Sequence, residues 1–106
     1  MRAVVEAVAI PVSVKPTPFY ASVPAFVRSL ERAGARGVVV FNRFYQPDIS
    51  LDTLDVDRRL TLSSPSELPL RLHALALLSR RAELSLACTG GVHGRLDAAK
   101  AILAGA

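Results

Sequence analysis

Cysteine is almost absent from this chain. Cys88 is the single one among 106 residues, which excludes an internal disulfide framework and any multi-thiolate metal site. Histidine is nearly as scarce: His73 and His93 stand twenty positions apart with no ligand-like spacing to an acid, so a metal centre is not expected. No uninterrupted apolar stretch approaches the roughly 18–20 residues a bilayer-spanning helix needs. The N-terminus does not read as a secretory signal either, because Glu6 and Pro11 interrupt its only apolar region. A cytoplasmic location is the expectation. Long runs of one charge sign are also lacking. The net charge is +4, yet no basic run exceeds two residues, at Arg58-Arg59 and Arg80-Arg81. Eleven of the thirteen basic residues are arginines, scattered over nearly the whole chain. Nucleic-acid binders concentrate charge on one face or arm and interleave stacking aromatics. The excess charge is therefore read as solvated helix surface, with neither a nucleic-acid nor a membrane partner expected. No low-complexity segment or internal repeat is present.

What the chain does have is apolar content and regular punctuation. Hydrophobic residues make up 51%, which suits strands buried on both faces, where apolar residues run on instead of alternating. The length allows one small domain. Residues 2–8 read as the last turns of a helix and Ile10 to Val14 as a short strand, stopped by the two prolines of Lys15-Pro16-Thr17-Pro18. A helix follows over about 23–33, with Phe26, Val27, Leu30 and Ala33 on its buried face, Ser22 as N-cap and Gly34 just past its end. Gly37 to Asn42, with Val38, Val39, Val40 and Phe41 in one run, reads as a buried parallel strand. Residues 43–63 then form a long connection with Pro47 and four aspartates, a candidate binding loop. Ser64-Pro65-Ser66-Glu67 is a capped helix start, and that helix runs to about Arg81 with Leu68, Leu72, Leu75 and Leu78 along its buried side. A strand over Leu84 to Cys88, the turn Thr89-Gly90-Gly91-Val92 and a helix from about Arg95 to Leu103 complete the chain. Strands alternating with helices predict an α/β fold with a parallel sheet and right-handed crossovers.

In such folds ligands sit at the carboxyl ends of the strands. Those ends carry Lys15, Asn42 and Thr89-Gly90-Gly91. Each also has a structural explanation: Lys15 as the first solvated residue after a strand, Asn42 as a turn residue, and Gly90-Gly91 as a tight turn into a helix. A strand followed by Gly-Gly and a helix is, equally, how a phosphate reaches backbone N–H groups. One cation, one amide and one anion cradle on the same rim suit a ligand with a phosphate tail and a polar ring.

These stretches resemble a known family. Ile10-Pro11-Val12-Ser13-Val14-Lys15-Pro16-Thr17-Pro18 is similar to the dihydroorotate dehydrogenase strand whose lysine meets the flavin. Val38-Val39-Val40-Phe41-Asn42-Arg43-Phe44 resembles the next strand, whose asparagine holds the pyrimidine. Leu86-Ala87-Cys88-Thr89-Gly90-Gly91-Val92 resembles the strand and turn that bind the FMN phosphate. The stretch from Phe41 to Pro47 is closest to the dihydroorotate dehydrogenase-like branch. The resemblance implies a partial TIM (β/α)8 barrel of about three consecutive βα units, its fifth to seventh, with residues 1–106 forming a single FMN-binding segment. It further implies an FMN-dependent oxidoreductase of pyrimidine biosynthesis acting on dihydroorotate or a related small molecule. Lys15, Ser63, Ser64, Thr89, Gly90 and Gly91 are the implied cofactor residues, and Asn42 and Arg43 the substrate residues. Arg43 stands where relatives commonly have a small hydroxyl residue; it either clamps a carboxylate or points into the long connection. No catalytic residue is expected in this chain, the family's base being expected upstream of Met1. Cys88 is read as a structural thiol. A three-stranded piece of barrel exposes strand edges, so self-association or pairing with an N-terminal barrel part is expected. Two other functions fit the Gly-Gly turn: a phosphate-binding barrel isomerase or synthase without redox chemistry, and a non-catalytic remnant that associates with another chain.

Overall fold

The computed structural model describes residues 1–43, 45–58 and 60–106. Phe44 and Arg59, which belong to the long connection and the stretch before Ser63, lie outside the described residues. Helix α1 (Arg2–Glu6) is shorter than the sequence predicts. Strand β1 is only Ser13–Val14. Prolines at 11 and 16 lack the N–H groups that would lengthen its ladder. Single bonds continue the contact on either side: the Arg36 N–H donates to the Val12 carbonyl (2.8 Å) and the Asn42 N–H to the Pro16 carbonyl (2.6 Å).

Helix α2 (Val23–Arg32) begins as its residues dictate, the Ser22 hydroxyl accepting the Ala25 N–H at 3.3 Å. It ends at Ala33, and Gly34 takes the left-handed conformation that follows (φ +91°). Strand β2 (Gly37–Val40) is central, flanked in parallel by β1 and by β5 (Ser85–Cys88) in the order β1-β2-β5. The register pairs Val38 with Val14 and Leu86, and Val40 with Cys88. Paired residues of a parallel ladder share a face. Val38 and Val40 pack with Val27 and Leu30 of α2 and with Ala74, Leu75 and Leu78 of the following helix. The opposite face presents Ser13, Gly37, Ser85 and Ala87 around Val39, and both serines and Ala87 are exposed.

The long connection is not an unstructured loop. Asp48–Ser50 (β3) and Asp55–Asp57 (β4) pair antiparallel as a small hairpin, Ile49 opposite Val56. Two three-residue alternations around a four-residue turn were too short to stand out from a charged loop. Pro65–Glu67 form a 3-10 turn that leads into α3 (Leu68–Leu78). The buried side of α3 is Leu68, Arg71, Ala74, Leu75 and Leu78; Leu72 is only half-buried. Helix α4 (Arg95–Ala104) ends where Gly105 turns left-handed.

This is an α/β arrangement around a parallel three-stranded sheet, in keeping with part of a barrel. The Cα radius of gyration is 16.1 Å, whereas a compact domain of 100 residues has about 13 Å. Leu51, Leu54, Leu62 and Leu103 are 84, 82, 81 and 87% exposed. Among the described residues no helix is long and apolar enough to cross a membrane.

Candidate functional site

Parallel pairing brings the carboxyl ends of β1, β2 and β5 to one edge. Two backbone bonds hold those ends in step beyond the ladder proper: Asn42 N–H to the Pro16 carbonyl (2.6 Å), and Thr89 N–H to the Val40 carbonyl (2.8 Å). Lys15, Ser63, Thr89 and Gly90 consequently line one hollow of about 330 Å³. Asn42 and Ser64 line an adjoining hollow of about 620 Å³. Arg43 lies in the wall common to both, with Leu62, Glu67 and Arg71. Lys15 and Asn42 are exposed, Thr89 and Gly90 half-buried.

Gly91 lines neither hollow. It is buried at φ +80°, and a Cβ there would lie 2.5 Å from the backbone nitrogen of Leu68. Its lack of a side chain therefore lets the turn pack under the start of α3. At Gly90 (φ +82°) a Cβ would meet Arg71 Nη2 at 2.9 Å. Both glycines thus give clearance to the protein's own α3. The N–H groups of His93 and Gly94 both donate to Asp97 Oδ2 at 3.1 Å, so an anion at this turn competes with Asp97 for them. Ser63 reaches His93, Oγ to Nε2, at 3.4 Å.

The residue missed by sequence reasoning is Arg71. It is 7% exposed, and all three of its nitrogens are used. Nε donates to the Thr89 carbonyl (3.2 Å), Nη1 to the Glu67 carbonyl (2.9 Å) and Nη2 to Glu67 Oε2 (2.9 Å). Glu67 Oε1 also accepts the Ser64 N–H (3.2 Å) and Arg43 Nη2 (3.3 Å). One carboxylate thus bridges two arginines and caps its own helix. Arg43 meets a carboxylate, but one belonging to this chain. The spacing did contain a clue: positions 68, 71, 75 and 78 form one helical stripe, and a cation inside an apolar stripe must be paired.

Cys88 sits half-buried at the end of β5 beside this network. Burial pushes its thiol up from the ordinary value, while the nearby Arg71 charge pulls it partly back. A thiol with a raised pKa is a poor nucleophile at neutral pH. Iodoacetamide is therefore expected to label Cys88 more slowly than a free thiol at pH 7–8 and to catch up only as the pH rises past the ordinary thiol range. In that same window the folded state loses stability, because the unfolded chain releases the proton first. Labelling in native buffer at the rate seen in denaturant would show the thiol to be unshielded. Among the described residues, no three His, Cys, Asp or Glu side chains are grouped so as to hold a metal ion.

The fold and rim define an α/β protein with a polar, cation-bearing edge at its strand ends. No family profile matches the chain. Over 108 aligned positions it is 32% identical to dihydroorotate dehydrogenase A (fumarate) of Lacticaseibacillus paracasei, a match covering 99% of this chain. The chain spans 37% of that protein's length. The relationship is distant, and it is to an oxidoreductase.

Proposed function

We propose that this chain is the FMN-binding segment of a dihydroorotate dehydrogenase-like oxidoreductase, comprising about three βα units of a (β/α)8 barrel. The observation that carries this is the alignment of Lys15, Asn42 and Thr89-Gly90 at the ends of three adjacent parallel strands. The donor set suits the cofactor: Gly90 at positive φ, hydroxyls from Ser63 and Thr89 with Ser64 in the adjoining hollow, and the Lys15 ammonium. When bound, FMN supplies a ring that accepts a hydride. Lys15 would place a cation where negative charge develops on reduction, and Thr89 and Gly90 with Ser63, which line the same hollow, would hold the phosphate end. Asn42 offers one donor and one acceptor group to the amide edge of a small ring, with Arg43 beside it. The general base comes from another part of the protein.

Association with the rest of a barrel, or with a second copy, fits the exposed face of Ser13, Ser85 and Ala87. A full barrel typically has about 250 residues, and this chain spans 37% of its relative.

Titration of the purified chain with FMN, followed by quenching of flavin fluorescence, tests the proposal. Saturable binding is expected in the wild type. Lys15→Ala is expected to weaken it about tenfold, the effect of removing one charge-assisted contact. Light scattering on the same samples reports association, and a sharp monomer peak at working concentration would count against it. A folded chain that leaves flavin fluorescence unchanged would reduce the proposal to ancestry without cofactor binding.

A further inference from the structure

The two arginines on Glu67 are held very differently. Arg71 is locked: its side chain is 9% exposed, its bond to Oε2 is 2.9 Å, and two carbonyls take its other nitrogens. Arg43 is lightly held. Its side chain is 34% exposed, its contact with Glu67 is 3.3 Å, and it stands in the wall shared by the Lys15 and Asn42 hollows. A half-exposed ion pair contributes at most about 1 kcal/mol. If Arg43 turns away, Glu67 keeps Arg71 and the Ser64 N–H, so no buried charge is left unpaired. Among the described residues around the joined hollows, the cations Lys15, Arg43 and Arg71 face the carboxylate of Glu67, and the surplus can receive an anion.

We propose that Glu67 is a built-in competitor for a substrate carboxylate: it parks Arg43 between the hollows, and an incoming carboxylate takes Arg43 over. The exchange is like for like. Arg43 gives up one planar carboxylate and gains another, to which its guanidinium can present two parallel N–H groups. Glu67 thereby sets how strongly Arg43 takes up a carboxylate. It lowers Arg43's affinity for every carboxylate by the strength of the resting pair. This rests on the assignment of Asn42 and Arg43 to the substrate side of the rim.

Orotate and uracil share a ring and differ by one carboxylate, so the ratio of their affinities reads the contacts of that carboxylate, and the variants assign them to Arg43 or to its neighbours. Both are titrated calorimetrically into the full chain, its Glu67→Gln and Arg43→Gln variants, and the double variant. Glu67→Gln is expected to raise the orotate-to-uracil preference about fivefold, the equivalent of one half-exposed ion pair. Arg43→Gln is expected to abolish that preference. The double variant separates two causes: the gain should vanish in it if Arg43 carries the contact. A gain that persists there belongs to the uncovered Arg71 charge and overturns the proposal, as does a preference absent from both the wild type and Glu67→Gln. Should Glu67→Gln fail to fold, Glu67→Asp withdraws the carboxylate from Arg43 by one methylene while keeping its charge near Arg71. It should show a gain of the same sign, and an unchanged ratio would overturn the proposal. FMN quenching in the same samples keeps the two ideas apart. Flavin binding lost with the carboxylate preference intact removes the cofactor assignment only, and the converse removes the Glu67 device only.

Discussion

Replacing Gly91 by alanine is expected to remove about 3–5 kcal/mol of stability, a large share of the 5–15 kcal/mol that a folded domain holds. Two costs add. At φ +80° an alanine sits in the left-handed region that side chains disfavour. Its Cβ would also lie 2.5 Å from the nitrogen and 2.8 Å from the Cα of Leu68. Those are backbone atoms at the start of α3, and they cannot rotate away as the end of a long side chain can. Either the turn after β5 or the start of α3 must move, and both border the rim. Gly94→Ala is the matched control: its φ is −152°, ordinary extended backbone, and its Cβ would meet nothing nearer than Asp97 Oδ2 at 3.9 Å. Thermal unfolding followed by circular dichroism compares the two. A domain of 60–100 residues loses roughly 4–8 °C per kcal/mol, so Gly91→Ala should melt at least about 12 °C lower or not fold. Equal midpoints for Gly91→Ala and Gly94→Ala would refute the packing account of Gly91.

Arg71→Met is expected to cost about 2–4 kcal/mol and to weaken flavin binding with it. Methionine fills much of the volume and removes the charge, so what is lost is the set of three donated bonds. The Thr89 and Glu67 carbonyls lose a donor each, and Glu67 retains Arg43 and the Ser64 N–H. The Thr89 bond matters beyond its energy, because it ties α3 to the residue that begins the Gly-Gly turn. Arg71→Lys should recover only part of the loss, since one ammonium cannot span three acceptors arranged for a fork. Urea unfolding and FMN titration on both variants check this. Wild-type stability in Arg71→Met would show that the buried guanidinium is tolerated and not required.

Much of the fold was legible because its cues are local. Ser22 meets Ala25, and Glu67 meets Ser64, each across three residues. The Val38–Val40 run announces a covered central strand, and Gly34 marks a helix end by adopting positive φ. These interactions close within a turn or two, so neighbouring residues suffice to specify them. The order of strand ends, with Lys15, Asn42 and Thr89-Gly90 each following a strand, was legible for the same reason. The β3–β4 hairpin was not, because three-residue strands carry too little alternation to separate them from a charged loop.

The sequence by itself determined the βα order, the helix caps and the residue types at the rim. Only the tertiary structure decided that Arg71, read as one position on a leucine helix, is a buried cation joining α3 to Thr89, 18 residues away. It also decided that Gly91 faces Leu68, that Arg43 rests on Glu67, and that the rim divides into two hollows with Arg43 between them. Each of these depends on how α3 docks against β5 and the long connection. Docking distances between separate elements follow from packing the whole core, and no window of adjacent residues contains them.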